Sequence, residues 1–191
     1  MGRATIALTV VLLTLCAAGC SRGGGSGSTA TTAGAAQPSP LPRGGEPVDL
    51  DPAQFTSTID NPWWPMTPGS RWIYREVDLE GTRQRVEVTV TRQTKQIMGI
   101  DARVVHDVVT EDGQLVEDTY DWYAHDAQGN VWYLGEDTKE YENGKVTTTA
   151  RSWQAGVDGA QPGILLPGHP SRGMAYRQEF YEGEAEEMAR C

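Results

Sequence analysis

The sequence predicts a mainly β fold, in which an antiparallel meander forms a curved sheet or a partly open barrel. Between residues 71 and 150, apolar and polar side chains alternate in short runs, as they do in half-buried strands. Turn signals separate the runs, among them Asp112-Gly113 and Asn143-Gly144, dipeptides that favour tight hairpins. A Pro- and Trp-rich segment at 55–69 cannot sustain a ladder, so we expect it to pack against the sheet as an ordered plug.

The predicted strands follow one another closely along the chain. The clearest has Val86, Val88 and Val90 on one side and polar residues between them. A separate strand is expected to run through Ile97 and to bend at 99–101. The remaining strands are expected at 71–79, 102–110, 115–124, 131–134, 139–141, 146–150 and 174–181. Residues 156–173 are predicted to form an irregular loop, and 183–189 to begin a short helix.

The N-terminal segment, 1–19, has the pattern of a secretory signal peptide. Arg3 supplies the positive start, an apolar run of about ten residues follows, and Ala17, Ala18 and Gly19 are the small residues expected at a cleavage point. The run is well short of the roughly twenty residues that a permanent membrane span needs. We therefore expect the segment to be removed.

The sequence Ala17-Ala18-Gly19-Cys20 resembles the lipobox of bacterial lipoproteins, in which the cysteine thiol receives a diacylglycerol and becomes the new N-terminus. The resemblance implies that Cys20 is the lipid attachment point and that the protein is held at the extracytoplasmic face of the cell membrane. The family usually has Leu three residues before the cysteine, where this chain has Ala17. Ordinary secretion with cleavage near Ala18 is the alternative.

Residues 20–50 have the composition of a flexible tether, because they are rich in Gly, Ser, Thr, Ala and Pro. A tether of this length spans roughly 30 Å from end to end. The expected organisation is therefore a signal peptide at 1–19, a lipid-anchored linker at 20–50 and one β domain at 51–191.

The net charge of −10 argues against nucleic acid as a partner, because phosphate binding needs clustered basic residues. The same acidity would repel the domain from an anionic lipid surface, so membrane association is expected through the N-terminal lipid alone. The three cysteines are Cys16 in the signal segment, Cys20, and Cys191 at the last position. This distribution excludes a disulfide or a Cys-rich zinc site within the domain, and no cofactor is predicted.

Several stretches resemble a group of uncharacterised exported bacterial proteins. The stretches are DNPWWPMTPGSRWIYR at 60–75, DWYA at 121–124, GNVWYLGEDTKEY at 129–141 and YRQEFY at 176–181. The group carries no assigned activity. Its members continue with further β-type sequence, which implies that this chain is truncated at its C-terminus and that its sheet has an open edge.

The sequence contains no motif typical of an enzyme. Gly-x-Ser-x-Gly and His-Glu-x-x-His are both absent, and His106, His125 and His169 have no spacing that suggests a catalytic pair. His106 and Asp107 are neighbours in a predicted strand, so their side chains should point to opposite faces. The protein is therefore predicted not to be an enzyme.

Ten acidic residues lie between positions 111 and 142. A calcium ion needs several oxygen ligands that converge from turns, but residues 126–130 resemble only the start of a calcium loop and lack its second acidic position and its distal Glu. The acidic residues are therefore predicted to form a solvated outer face, and no metal site is predicted.

Six tryptophans accompany only two phenylalanines. Tryptophan suits a β core, and it also suits a cleft that stacks on sugars or grips an apolar ligand. Two consecutive tryptophans in a Pro-bounded loop can hardly both be buried, which favours a contact surface that includes them. The predicted contact surface consists of Trp63, Trp64, Trp122 and Trp132.

These observations favour a non-catalytic, membrane-anchored module that binds a small molecule, a glycan or an envelope protein. One alternative is an envelope hydrolase that uses His, Asp and Glu side chains. Another is an assembly protein that acts through a sheet edge. A pocket in which His and Asp converge would favour the hydrolase, and an aromatic-lined open cavity would favour binding.

Overall fold

A computed structural model describes residues 41–77 and 81–191, and there the chain forms an antiparallel sheet that curls into a half-barrel. A short 3-10 helix at Pro52–Gln54 precedes the sheet. The strands are β1 Phe55–Thr56, β2 Arg71–Val77, β3 Arg83–Ile97, β4 Ile100–Glu111, β5 Gln114–Asp126, β6 Val131–Glu142, β7 Lys145–Thr148, β8 Trp153–Gln154, β9 Gln161–Leu166, β10 Ala175–Tyr181 and β11 Ala185–Arg190. The predicted fold class, a curved antiparallel meander, is confirmed.

Strands β2 to β6 form the meander, each paired with the next along the chain. The full order across the sheet is β11-β10-β9-β6-β5-β4-β3-β2, so β2 and β11 are its two edges within the described residues. The hairpins are tight because paired turn residues adopt positive φ: Asp112 and Gly113 have φ of 46° and 84°, and Asn143 and Gly144 have 52° and 74°. Both turns lie where the sequence predicted them.

Strand β3 is longer than the sequence predicted. The two strands expected on either side of position 91 form one strand of 15 residues, Arg83–Ile97. Its pairing with β4 shifts between Val90 and Thr94, which marks a β-bulge. A bulge lets one strand bend while its ladder continues, so the break expected from the sequence becomes a change of direction.

The C-terminal third contains three strands that the sequence did not predict: β9, β11 and the two-residue β8. Residues 156–173 were expected to be irregular, yet β9 lies within them and pairs with both β6 and β10. Residues 183–189 were expected to begin a helix, but β11 forms there and pairs antiparallel with β10. In both cases tertiary pairing with a neighbouring strand outweighs the local preference of the sequence.

The Pro/Trp-rich segment packs on the sheet, as predicted. Strand β1 pairs with the end of β5, and an isolated bridge joins Ile59 to Met66, both of which are buried. The guanidinium of Arg103, 8% exposed, donates from Nε to the carbonyl oxygen of Ser57 at 3.1 Å and from Nη1 to that of Gln93 at 3.2 Å. Arg103 thereby ties the plug to β3 and β4.

Residues 41–50 pack against the β domain, although the sequence placed them in the linker. Leu41, Val48 and Leu50 lie against the hydrophobic core. The backbone N–H of Arg177 donates to the carbonyl oxygen of Pro42 at 2.7 Å. The folded domain therefore begins before residue 51. The predicted signal peptide, Cys20 and the first part of the linker, 20–40, lie outside the described residues.

The core lies between the plug and the central strands. Its fully buried members include Val90 on β3, Val105 on β4, Leu134 on β6 and Ile164 on β9. Among residues 41–77 and 81–191, no helix has the length and apolar character needed to cross a membrane.

Candidate functional site

The four tryptophans of the predicted contact surface do not share one surface. Trp122 and Trp132 are only 6% and 7% exposed, Trp64 is partly buried, and Trp63 is 55% exposed. Lys95 covers Trp122, its Nζ 3.1 Å from the ring centroid, and burial lowers the pKa of this lysine. Trp63 is thus the member of the set that is free to meet a ligand.

The plug holds Trp63 outward because the residues on either side of it are anchored. Asn61, 1% exposed, donates from Nδ2 to the carbonyl oxygen of Gly129 at 2.9 Å, and its Oδ1 accepts from the backbone N–H of Trp63 at 2.9 Å. Trp64 packs edge-to-face on Tyr123, with ring centroids 5.2 Å apart. One of the two consecutive tryptophans is therefore a packing residue, and the other is presented to solvent.

Beside Trp63 lies an open cavity of about 370 Å³, formed by the plug, the β5–β6 turn and the loop after β9. Gly168 joins these segments: its N–H donates to Oδ1 of Asn130 at 2.9 Å, and a Cβ on it would collide with the backbone of Gln128 and Gly129. The lining residues are Asp60, Asn61, Pro62, Trp63, His125, Gln128, Gly129, Gly168 and His169.

His125 is, beside Asn61, a largely buried polar side chain of this cavity. Its side chain is 11% exposed, and its Nδ1 lies 3.2 Å from Oδ1 of Asp60. Its Nε2 is buried and has no hydrogen-bond partner. In the neutral tautomer with its proton on Nδ1, a histidine carries a lone pair on Nε2, which makes this buried atom an unsatisfied acceptor.

Asp126, at the start of the turn that lines the cavity, serves the fold. Its Oδ1 accepts from the backbone N–H groups of Gln128 and Asn130 at 2.9 and 2.8 Å. Its Oδ2 accepts from Nδ2 of Asn130 and from Nε1 of Trp132, both at 2.7 Å. Both oxygens are therefore occupied, which accounts for the partial resemblance of 126–130 to a calcium loop.

The acidic residues between 111 and 142 do not all form a solvated outer face, contrary to the prediction. Asp121 is 8% exposed and receives a hydrogen bond from the Tyr133 hydroxyl at 2.7 Å. Directly opposite Asp121, Glu136 accepts from the hydroxyl of Thr138 at 2.8 Å. We call one set of carboxylates the acidic face of the sheet: Asp107, Glu117, Asp121 and Glu136.

Burial and mutual repulsion raise the pKa of every carboxyl group on the acidic face. Burial, with the charge of Glu117, raises the pKa of Asp107 to about 7, and one oxygen of Asp107 is buried without a hydrogen-bond partner. Burial raises the pKa of Asp121 well above its usual value, with Glu136 adding to the shift. The nearby Glu179 of β10 also has a pKa raised to about 7 by burial, although it accepts from Nε1 of Trp153 at 3.0 Å.

His106 lies on the opposite side of the sheet from Asp107, as the alternation of the strand predicted. Its Nε2 is 2.6 Å from Oδ1 of Asp118, and its ring stacks on Tyr120 with centroids 4.3 Å apart. His106 is therefore part of a surface cluster with Asp118 and Tyr120, separate from the cavity beside Trp63.

The geometry allows two kinds of chemistry at the cavity, binding and proton transfer. The Asp60–His125 pair resembles the base half of a catalytic arrangement, but the lining includes no Ser, Thr, Cys or Lys nucleophile among the described residues. In the same part of the chain, no three His, Cys, Asp or Glu side chains converge closely enough to hold a metal ion.

The sequence analysis selected Trp63 but did not place the polar residues Asp60 and His125 in the same site. Asp60 and His125 belong to segments that only the fold brings together, whereas Asn61-Pro62-Trp63 is contiguous. Comparison of the chain with protein-family models, with curated proteins and with solved structures finds no match. The resemblance to exported proteins and to lipoproteins stays a prediction, and the geometry of this cavity is the basis for the functional proposal.

Proposed function

We propose that this chain is a lipid-anchored, extracytoplasmic binding module whose cavity beside Trp63 takes a hydroxyl-rich ligand, a glycan of the cell envelope. The observation that carries the proposal is the exposed Trp63 ring at the edge of a cavity of about 370 Å³ whose lining also includes the polar side chains of Asp60, Gln128 and His169. The anchor in this proposal is a lipid on Cys20, as the signal-peptide pattern predicts.

The chemistry of the cavity supports a sugar better than an apolar ligand. A tryptophan face packs against the C–H groups of a sugar ring, while side-chain amides and imidazoles match its hydroxyls. Gln128 and His169 supply such groups at the rim. An apolar ligand would leave these polar groups desolvated without partners.

Titration of the protein with oligosaccharides from the cell wall tests this function. Trp63→Ala should weaken binding at least about tenfold, the loss typical of a central aromatic contact residue. Tyr74→Ala is the matched control, because Tyr74 is similarly exposed, at 47%, but lies on β2 outside the cavity lining. Calorimetry would measure both. Failure of every oligosaccharide to bind, or equal binding by the Trp63→Ala variant, would refute the proposal.

Mass spectrometry of the mature N-terminus tests the anchor. Cys20 should carry a diacylglycerol, and Cys20→Ser should release the protein from the membrane fraction, because acyl chains contribute about 0.8 kcal/mol per buried CH₂. An unmodified N-terminus at another residue would rule out lipid anchoring and leave the binding proposal in place.

A hydrolase is the second candidate, favoured by the Asp60–His125 pair alone. In that case His125 would activate a water molecule against a bound glycan. His125→Gln would then abolish release of reducing sugar while leaving affinity within a few-fold of the parent. A bound oligosaccharide that stays intact over prolonged incubation would exclude this candidate.

A further inference from the structure

We infer that the β2–β3 hairpin carries a second interaction surface, which docks the domain onto an anionic lipid surface. The surface, called here the arginine face, follows from strand register. Residues of odd number on β2 share one face of the hairpin with residues of odd number on the first half of β3, through the pairs 71↔89, 73↔87, 75↔85 and 77↔83. Its members are Arg71, Ile73, Arg75, Val77, Arg83, Arg85 and Glu87.

The arginine face is positive within a chain whose net charge is −10. It holds four guanidinium groups and one carboxylate, a local charge of +3 (four minus one) over these described positions. Glu87 accepts from both Arg71 and Arg85, which hold its pKa below the usual range and fix the two guanidiniums side by side. Arg75 and Arg83 are exposed. The turn at 78–80 lies outside the described residues and is not counted.

Two apolar side chains lie among the arginines. Ile73 is 42% exposed and Val77 is 67% exposed. Guanidinium groups bind phosphate in a planar, two-pronged geometry, and exposed aliphatic side chains between them can enter the boundary between lipid headgroups and acyl chains. A surface with both features suits a phospholipid layer better than it suits an acidic polypeptide, which would use the arginines and leave Ile73 and Val77 unburied.

The overall acidity of the protein does not prevent this contact. Salt screens charges over about 8 Å at physiological ionic strength. A membrane in contact with the arginine face is therefore affected mainly by the charges on that face. The four buried or half-buried carboxylates of the acidic face lie on the other side of the sheet, because Asp107 pairs with Val88, a residue of even number. The net charge of the sequence is a sum that includes both the acidic face and the arginine face, whose charges have opposite signs.

Vesicle co-sedimentation tests the arginine face separately from the anchor. The parent protein for this test is the full chain with Cys20→Ser, which cannot be acylated. It is mixed with phosphatidylglycerol–phosphatidylcholine vesicles and with phosphatidylcholine vesicles. Arg75→Gln/Arg83→Gln should lower partitioning onto the anionic vesicles by about 25-fold, since each arginine contributes about fivefold. The control Arg172→Gln/Arg190→Gln changes two exposed arginines on the β10–β11 side and should bind like the parent.

Three outcomes would overturn the inference: no preference of the parent for anionic vesicles, equal binding by the Arg75→Gln/Arg83→Gln variant, or an equal loss in the control. Binding of polyglutamate without binding of vesicles would point to an acidic protein partner instead, and would also overturn it. Circular dichroism of each variant shows that the fold is retained. The result is independent of glycan binding, since neither arginine lines the cavity beside Trp63.

Discussion

At the scale of single residues, the buried carboxylates divide into two kinds. Asp126 has hydrogen-bond donors for both oxygens and closes a turn. Asp107 has one buried oxygen without a partner, and the carboxylates around it repel its negative charge. The first kind stabilises the fold through its hydrogen bonds, and the second destabilises the fold once it is charged.

Stability should therefore fall as the pH rises through the range in which the acidic face ionises. In the folded protein the pKa values of Asp107 and Glu179 are about 7, above ordinary values of 3.8 and 4.5. Their protonated forms are favoured in the fold, so stability is full below about pH 4 and is lost as the pH approaches 7. Urea unfolding at a series of pH values measures this. Asp107→Asn should recover a few kcal/mol at pH 8, at about 1.4 kcal/mol per pKa unit.

Asp137→Asn is the control for the pH experiment, because the side chain of Asp137 is 50% exposed. A stability that rises between pH 4 and 7 in the parent protein, or an Asp107→Asn variant with the same pH profile as the parent, would contradict the account of the acidic face.

Asp126→Ala should destabilise the domain by about 3 kcal/mol, since it leaves four donors of the β5–β6 turn without an acceptor. Asp126→Asn keeps one acceptor oxygen and should cost about half as much. Thermal unfolding followed by calorimetry measures both. An alanine variant with the unfolding temperature of the parent would show that water replaces the carboxylate.

At the scale of elements, the strands predictable from sequence were those that bury one face. Val86, Val88 and Val90 alternate with polar residues, so β3 could be recognised without knowledge of its neighbours. Strand β9 was missed because Pro162 and Gly163 resemble a loop, and β11 because Glu186 and Glu187 favour a helix. Both strands form by pairing with β10, and this pairing cannot be predicted from the local sequence pattern.

The same reasoning explains what was missed at the candidate sites. Glu117 and Asp121 are four residues apart on one strand, so their alternation could have placed them on a common face. Asp107 and Glu136 can be assigned to the same face only when the strand order and the register are known. His125 lies close to Asp60 because β1 pairs with β5, and this pairing joins distant parts of the chain.

Gly163→Ala should be one of the most damaging glycine substitutions in the sheet. A Cβ at this position would overlap the backbone carbonyl groups of Gln178 and Arg177 on β10, so β9 and β10 would have to separate. We expect a loss of about 3 kcal/mol in urea unfolding. At Gly113 a Cβ meets open space, and only the φ of 84° is unfavourable, so Gly113→Ala should cost about 1 kcal/mol. Equal losses would mean that β9 and β10 adjust freely.

At the scale of the whole molecule, the sheet separates its charges between its two sides. The acidic face on β4 to β6 and the arginine face on β2 and β3 lie on opposite sides of the sheet, and the cavity beside Trp63 lies at the end of β5 near the plug. The proposed ligand site and the proposed docking surface therefore lie on different parts of the domain.

Arg177 joins the N-terminal segment to the C-terminal strands. It is 1% exposed, and it donates from Nη2 to the carbonyl oxygen of Pro162 at 2.7 Å and from Nη1 to that of Glu46 at 2.8 Å, with Gly44 as a further acceptor. Arg177→Met should free residues 41–46, so that trypsin cleaves after Arg43 under native conditions at least about tenfold faster, as expected for a local opening that costs about 1.4 kcal/mol less.

Mass spectrometry of the trypsin products identifies that cleavage. Arg177→Lys keeps the positive charge but has fewer donors, so it should show intermediate protection. Unchanged protection of Arg43 in the methionine variant would mean that Leu41 and the neighbouring apolar contacts hold the segment without the guanidinium.

The dependence of residues 41–46 on Arg177 also sets an order of folding. Each hairpin of the meander joins strands that are adjacent in the chain, so β2 to β6 can assemble progressively with short loop closures. The segment nearest the N-terminus has its partner on β10, more than 130 residues later. A chain that is synthesised from its N-terminus must therefore reach β10 before residues 41–46 can dock, and a premature stop upstream of β10 would leave that segment without its partner.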